Sequence, residues 1–412
     1  MTVKNDYPAI MPELVLDFVN SSALDPRITF TRSSTATRVN SRGLIETTPK
    51  NQPRIDYDPT TKQCKGLLIE EQRTNAALNS NTFNLSLGTT ETLNATISPD
   101  GTQNASLITE TTANGEHYSL DRGIAVTSGT TYVWSFYAKQ GAGSVRKAYC
   151  RVATAATASV MFDLVTGSGF VASPTNLVTY GSQQLSNGWW RCFVVFTAAS
   201  TATAICRAQL ATGSNAAIYT GDGVSGIYLW GAQLEVGAFP TSYIPTTSAS
   251  VTRAADNASM VGTNFSSWYN QSEGTFAVNA IYNRYNTSVF LASISNADSN
   301  VASERVQIAI NTSNNLSDAI VTGGVAIVSA MNSVVTNSTY KTALALKSGD
   351  YSATANGNIP NASSATGIPT VDRFKFGANP AGNGGYLNGH IQSIRYYPIR
   401  LTNTQLQTLT KS

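Results

Sequence analysis

The fold of this chain is decided by residues 131–139, Thr131-Tyr132-Val133-Trp134-Ser135-Phe136-Tyr137-Ala138-Lys139. Large apolar side chains stand at every second position, and successive side chains of a β-strand point to opposite faces of a sheet. The stretch is therefore predicted to be a strand with one buried face. Five further segments repeat the alternation and complete the predicted core of a β-sandwich, with Cys150 and Val152; Val160, Phe162 and Leu164; Trp190, Cys192, Val194 and Phe196; Cys206, Ala208 and Leu210; and Tyr228, Trp230, Ala232 and Leu234.

Strand-like runs rich in Val, Ile, Thr, Tyr and Phe recur along the whole chain, separated by clusters of Gly, Asn, Ser and Pro. Such a pattern is typical of an all-β protein. One exception lies near residue 402, where Thr402 and Gln405 have the spacing of a capping box. We expect a short helix there that covers a sheet edge.

The 412 residues are more than one hydrophobic core usually serves. Polar, extended sequence interrupts the strand pattern near residues 75–81 and again at 240–253, where two prolines and many small residues favour a tether. We therefore predict three pieces: an N-terminal attachment segment (1–78) and two β-sandwich, or jelly-roll, domains (79–247 and 248–412). The first piece is small and polar, so we expect it to pack on a partner or on copies of itself.

Composition excludes several classes of partner. Charged residues make up 12% of the chain, against about 25% in an average globular protein. The net charge of +3 comes from 27 basic and 24 acidic residues without a basic run, which disfavours nucleic acid. No stretch reaches the roughly 20 apolar residues that span a bilayer, so we expect no membrane insertion. The first six residues lack an apolar signal core, so we expect assembly in a cytoplasm.

A candidate binding face consists of side chains that alternate with the core positions. It is rich in aromatic rings and planar polar groups, which suit the C–H faces and vicinal hydroxyls of sugars. Residues 197–202 are short enough for a hairpin, which would make the two flanking strands neighbours. The alternative is an ordinary solvated sheet face, with arginine stems lying over Trp189. The predicted carbohydrate-binding residues are Trp189, Arg191, Arg207, Gln209, Tyr137, Gln233 and Glu235.

The sequence shows no catalytic or metal-binding pattern. Glycoside hydrolysis needs two opposed carboxylates, and the Glu-x-Asp-x-x-Glu spacing of jelly-roll hydrolases does not occur. His117 and His390 are far apart, and we expect surface or hydrogen-bonding histidines rather than a Ser-His-Asp triad. The four cysteines lie far apart without a Cys-x-x-Cys pair, which favours free buried thiols. We therefore expect a protein that is not an enzyme, with no catalytic residue, no metal ligand and no cofactor.

Three stretches carry resemblances to known families. The first fifth of the chain resembles the N-terminal module of many phage tail-fibre and head-spike proteins, in residues 16–18, 28–37 and 53–59 and in Gly66-Leu67-Leu68-Ile69-Glu70-Glu71-Gln72-Arg73-Thr74-Asn75. The middle piece resembles carbohydrate-binding-module-type jelly rolls in residues 131–139, 187–191 and 229–235. The last piece is similar to concanavalin-A-like or laminin-G-like lectin domains in residues 273–278, 372–377 and 387–398.

These resemblances imply a phage virion structural protein of the tail-fibre or receptor-binding type. Its N-terminal segment would bind other virion proteins, its sandwiches would recognise host-surface polysaccharide, and the chain would form a homo-oligomer, a trimer. Modules of these classes often carry a structural calcium ion, but no dense Asp/Asn loop here matches one. Two alternatives remain open: a capsid-bound head fibre or decoration protein with mainly protein contacts, and a glycan depolymerase.

Overall fold

The computed structural model describes residues 7–21, 23–83, 86–282, 288–299, 302–313, 315–333 and 339–411. Its regular structure is almost entirely β, which confirms the predicted fold class. The N-terminal part contributes β1 (Leu14–Asp17), β2 (Thr29–Thr31), β3 (Ala36–Val39), β4 (Ile45–Thr48), β5 (Ile55–Tyr57), β6 (Cys64–Ile69) and β7 (Arg73–Asn75).

The middle part of the chain is a sandwich of two antiparallel sheets. Its strands are β8 (Ser86–Leu87), β9 (Thr89–Thr96), β10 (Ala105–Glu110), β11 (Asn114–Val126), β12 (Thr131–Gln140), β13 (Arg146–Thr154), β14 (Ala158–Phe162), β15 (Gly169–Ser173), β16 (Leu177–Gln184), β17 (Trp190–Thr197), β18 (Ala202–Thr212), β19 (Ile218–Thr220) and β20 (Gly226–Val236). A 3-10 turn at Ser186–Gly188 precedes β17. The six-stranded sheet has the order β16-β17-β12-β20-β10-β9, and the middle seven-stranded sheet has the order β15-β14-β13-β18-β11-β19, with β8 paired to β11.

The predicted core of the middle sandwich is confirmed except on one strand. Trp134, Cys150, Cys192 and Leu210 pack between the sheets with the other predicted residues, and the cysteines of this core are free thiols. On β20, however, Tyr228 and Trp230 lie on the opposite face from Ala232. A β-bulge opposite β12 inserts one extra residue there, at a glycine with a φ of 64°, and so reverses the side-chain parity.

The last part of the chain forms the second sandwich. The elements of this part are β21 (Val251–Arg253), β22 (Asn257–Val261), α1 (Thr263–Ser266), β23 (Glu273–Ile281), β24 (Val289–Ser295), β25 (Arg305–Ile310), β26 (Asn315–Thr322), β27 (Val325–Ser333), β28 (Thr339–Lys347), β29 (Tyr351–Ala355), β30 (Asn361–Ser363), β31 (Arg373–Phe376), β32 (Gly389–Tyr397) and α2 (Asn403–Thr410). The eight-stranded sheet of this sandwich has the order β30-β29-β28-β23-β32-β6-β5, with β1 also paired to β32, and its C-terminal seven-stranded sheet has the order β2-β22-β31-β24-β25-β26-β27.

The N-terminal segment is part of this second sandwich, which differs from the predicted division at residue 78. Strands β1, β2, β5 and β6 extend its two sheets, and Leu14, Phe18 and Leu67 belong to its core. The inner side of the segment therefore packs on its own chain. Its short strands cannot enclose a core alone, but they bury their apolar side chains by joining existing sheet edges.

The predicted helix near residue 402 is present, and its capping box is confirmed. The Thr402 side chain accepts a hydrogen bond from the Gln405 backbone, and the Gln405 side chain accepts one from the Thr402 backbone. Leu406 of α2 packs against Ala277 and Ala345 on the outer face of the eight-stranded sheet. The helix therefore covers a face of this sheet, not an edge.

Candidate functional site

The predicted carbohydrate face is divided between two sheets. Strand β17 pairs with β12 and β16, whereas β18 pairs with β13 and β11. The predicted hairpin between β17 and β18 is therefore wrong, because the connection after β17 crosses from one sheet of the sandwich to the other. Alternation shows which residues share one face of a strand, but it does not show which strands share a sheet. Of the seven predicted residues, the six-stranded sheet carries Tyr137, Arg191, Gln233 and Glu235, Trp189 directly precedes its strand β17, and the middle seven-stranded sheet carries Arg207 and Gln209.

The outer face of the six-stranded sheet is covered, which corrects the exposed position expected for Trp189. This indole is 1% exposed and packs with Ile45, Tyr137, Trp230 and Tyr243 in a second apolar cluster. Its ring N–H donates to a backbone carbonyl at 3.1 Å. The β3–β4 hairpin lies over this face, so Trp189 is a core residue between two parts of the chain.

The polar residues of the covered face hold the segment that follows β20. Glu235 accepts hydrogen bonds from the backbone N–H and hydroxyl of Thr241, at 2.9 and 2.6 Å. Gln233 accepts one from the Ile244 backbone at 2.7 Å. The predicted tether at 240–253 is therefore packed along residues 241–246, because the outward side chains of β20 bind its backbone. Gln233, Glu235 and Tyr137 are all buried, so their predicted exposure on an open face is also corrected.

A buried ion cluster joins the N-terminal segment to the residues directly before β22. The Arg54 guanidinium bonds to Glu70 at 2.7 Å and also to Asp256, whose other oxygen accepts from Arg32 at 3.0 Å. Arg253 lies 3.3 Å from Glu70. Burial alone would raise the pKa of Glu70, but Arg253 and Arg54 hold that pKa well below its usual range. The charged side chains of the N-terminal segment are therefore paired in the interior, where the removal of one partner would leave an uncompensated buried charge.

A charged face on the outer side of the middle seven-stranded sheet is partly accessible. We call it the open face and define it by Glu116, Tyr118, Arg151 and Arg207. One Glu116 oxygen accepts from Arg151 at 2.5 Å, and the other accepts from Arg207 at 3.1 Å. The three side chains are 25%, 27% and 17% exposed. The Arg207 guanidinium lies over the Tyr118 ring, 4.2 Å from its centroid.

Gln209 lies beneath these side chains, so its predicted exposure on an open face is also corrected. Gln209 is buried, accepts from Arg151 at 3.4 Å and donates to the Ala217 carbonyl at 3.3 Å. Sequence reasoning selected Arg207 and Gln209 but missed Glu116 and Tyr118. Strand β11 changes register between residues 118 and 121, so no regular alternation marks its outward side chains.

A second site is a cavity of about 540 Å³ where the N-terminal segment and both sandwiches meet. We call it the junction cavity. The buried His390 Nε2 lies 2.8 Å from Asp56, and Lys65 lies 3.5 Å from the same carboxylate. Burial would raise the pKa of Asp56, but His390 holds it below its usual range, and burial lowers the pKa of His390 itself. The short contact between His390 Nε2 and the Asp56 carboxylate is therefore a hydrogen bond inside the cavity wall.

Aromatic side chains from several elements form much of the wall of the junction cavity. Sequence reasoning missed this site because its residues come from segments that are distant in sequence, and no local pattern joins them. Two predicted site residues, Tyr137 and Arg191, reach it from the covered face. The aromatic lining residues are Tyr137, Phe193, Phe239, Tyr243 and Tyr282.

Within the described parts of the chain, no group of three or more His, Cys, Asp or Glu side chains is placed to hold a metal ion. No helix of these parts is both long and apolar enough to cross a membrane.

No protein-family model matches the sequence, and no curated protein sequence matches it. Among solved structures, a CBM40 domain of the Ruminococcus gnavus IT-sialidase aligns with 34% of this chain and 84% of its own, at 16% identity and a TM-score of 0.31. The NanB sialidase of Streptococcus pneumoniae aligns with 36% of this chain and 26% of its own, at 17% identity and a TM-score of 0.32. Domains LG4-5 of the mouse laminin α1 chain align with 87% of this chain and 96% of their own, at 11% identity and a TM-score of 0.26. Similarities of this size carry no information about the ligand of this chain.

Proposed function

We propose that this chain is a non-enzymatic structural protein of a phage virion that binds host-surface glycan through the open face. The observation that carries the proposal is the Glu116 carboxylate held between Arg151 and Arg207 on an accessible sheet face. Planar polar groups at this spacing suit the paired hydroxyls of a sugar ring, and the Tyr118 ring offers an adjacent apolar surface. The ion pairs fix these side chains before binding, which lowers the entropy cost of association.

The absence of catalysis is part of the proposal. A glycoside hydrolase needs a carboxylic acid whose pKa is raised, so that it can protonate the leaving oxygen. The carboxylates that line the junction cavity are Asp56 and Glu70, and both have lowered pKa values. Ionised carboxylates that already accept several hydrogen bonds are poor general acids. These properties favour binding over a depolymerase activity.

The virion location rests on the resemblance of the first fifth of the chain to phage fibre and spike modules. Assembly as a homotrimer rests on the same resemblance. The surface for other virion proteins would be the outer side of the N-terminal segment, since its inner side packs on the second sandwich. Electron microscopy of particles labelled with an antibody to this chain tests the location and separates a tail fibre from a head fibre. Unlabelled particles would refute a virion role.

Glycan binding is tested with the full chain on an array of bacterial polysaccharides and oligosaccharides. We expect binding by the native protein and at least a tenfold loss in Arg207→Ala and Glu116→Gln, on the order of the 1.5–3 kcal/mol of a charge-assisted hydrogen bond. Arg42→Ala is the matched control, because Arg42 is an exposed arginine in the turn between β3 and β4. A silent array, or equal loss in the control, contradicts the proposed site, and shortened oligosaccharides indicate a depolymerase.

A further inference from the structure

The junction cavity is separate from the open face. It lies beside the outer side of the six-stranded sheet, whereas the open face belongs to the other sheet of the middle sandwich. Its volume of about 540 Å³ falls in the range of roughly 300–1,000 Å³ typical of small-ligand sites. Such sites occur preferentially where domains meet, and this cavity is lined by all three parts of the chain.

Arg191 is a buried cation in the wall of this cavity. Its Nη1 donates to the Thr241 carbonyl at 2.6 Å and its Nη2 to the Ser135 hydroxyl at 3.2 Å. Both acceptors are neutral, and among the described residues no carboxylate forms an ion pair with Arg191. Its Nε is buried and has no hydrogen-bond partner among those residues. The Tyr137 ring, 5.4 Å away, offsets only part of the cost of burying a positive charge.

The other charged groups of the cavity leave this positive charge in excess. Arg38 is paired with Glu46 outside the lining, at 2.7 Å. Glu70 is shared by two arginines of the buried ion cluster, and Asp56 is shared by Lys65 and His390. Lys65 carries three donors and is 24% exposed, so it keeps donors for a ligand beside its contact with Asp56.

We infer that the junction cavity is a second ligand site, and that its ligand is a sugar that carries a carboxylate. Arg191 binds the carboxylate, Lys65 adds a second positive charge, and the aromatic walls pack against the C–H faces of the ring. A neutral sugar offers Arg191 no negatively charged partner, so the site discriminates in favour of the acidic form. This inference goes beyond glycan binding at the open face and does not depend on it.

The test uses the full chain with D-glucuronate, D-glucose and acetate as probes, by saturation-transfer-difference NMR and calorimetry. We expect glucuronate to bind with a dissociation constant on the order of 1 mM or below. We expect glucose and acetate to bind at least about tenfold more weakly, because each lacks one of the two recognised features. Glucose binding equal to that of glucuronate overturns the role of the carboxylate, and equal acetate binding overturns the role of the sugar. No binding of glucuronate overturns the site.

Variants place the binding in the cavity. Arg191→Gln is expected to weaken glucuronate binding at least about tenfold, whereas Lys347→Gln, at a 52% exposed lysine of β28 outside both sites, leaves it unchanged. If Arg191→Gln does not fold, Lys65→Gln decides, since Lys65 is partly exposed and its loss is expected to weaken binding several-fold. Undiminished affinity in the folded cavity variant refutes the inference. The two sites fail separately: loss of array binding in Arg207→Ala reports only on the open face.

Discussion

Replacing Trp189 by Ala tests the covered face. The side chain is 1% exposed and fills the space between the six-stranded sheet and the β3–β4 hairpin. Removal of a buried Trp or Phe side chain costs about 3–5 kcal/mol, through lost transfer energy and the cavity left behind. The lost hydrogen bond from the indole to the Ile97 carbonyl places Trp189→Ala in the upper half of that range.

The measurement is urea unfolding of the full-length variant, followed by thermal unfolding. A loss of about 3–5 kcal/mol in a domain of 150–250 residues corresponds to a decrease in Tm of roughly 6–20 °C. Val165→Ala is the control, because Val165 is 66% exposed and surface changes usually fall within about 0.5 kcal/mol. If Trp189→Ala keeps its stability within about 1 kcal/mol of the native chain and loses glycan binding, the indole lies on an open binding surface and the covered face is wrong.

Three further predictions concern buried charges and the packing of the N-terminal segment on the second sandwich. Asp256→Ala should lower the free energy of unfolding by about 3–5 kcal/mol, because it leaves Arg32 and Arg54 buried with one carboxylate fewer; a urea midpoint within error of the native value would contradict this. Burial raises the pKa of Asp318 well above 3.8, so its destabilising effect is absent below that pH and grows as the pH rises toward the folded pKa. Asp318→Asn should therefore be more stable than the native chain at pH 8, by about 1–3 kcal/mol, and equal to it near pH 3; a pH-independent difference would refute the burial argument. A chain that begins at residue 79 should aggregate or unfold on expression, because it lacks four strands of the second sandwich; a monomeric, cooperatively melting product would show that the segment is dispensable.

The sequence predicted the middle core because alternation is a local property of each strand. The positions of Trp134, Cys192 and Leu210 follow from their spacing alone. The prediction failed at Trp230, because a single bulge at Gly231 reverses the parity of the residues before it. A glycine inside an apolar strand is a weak signal for such a bulge, and here it was the only local one.

The candidate site was harder to predict than the core, because it depends on which surfaces remain uncovered. Arg191 and Arg207 stand at equivalent outward positions of strands that adjoin in sequence, yet one is buried and the other is accessible. What separates them is the β3–β4 hairpin, more than 130 residues earlier in the chain, which lies over one sheet only. No periodic pattern within either strand carries this information.

The N-terminal segment shows why contacts between residues distant in sequence determine which outer face is covered. Arg54 and Glu70 belong to the segment that resembles a phage attachment module, while Arg253 and Asp256 follow the middle sandwich, and Asp256 lies 202 residues after Arg54. The path of the segment brings these charges together in the interior, where each one is costly without its partners. That path brings the β3–β4 hairpin over the six-stranded sheet, closes the junction cavity and leaves the opposite sheet accessible. The position of the N-terminal segment therefore separates the outward residues that pack the chain together from those that remain accessible.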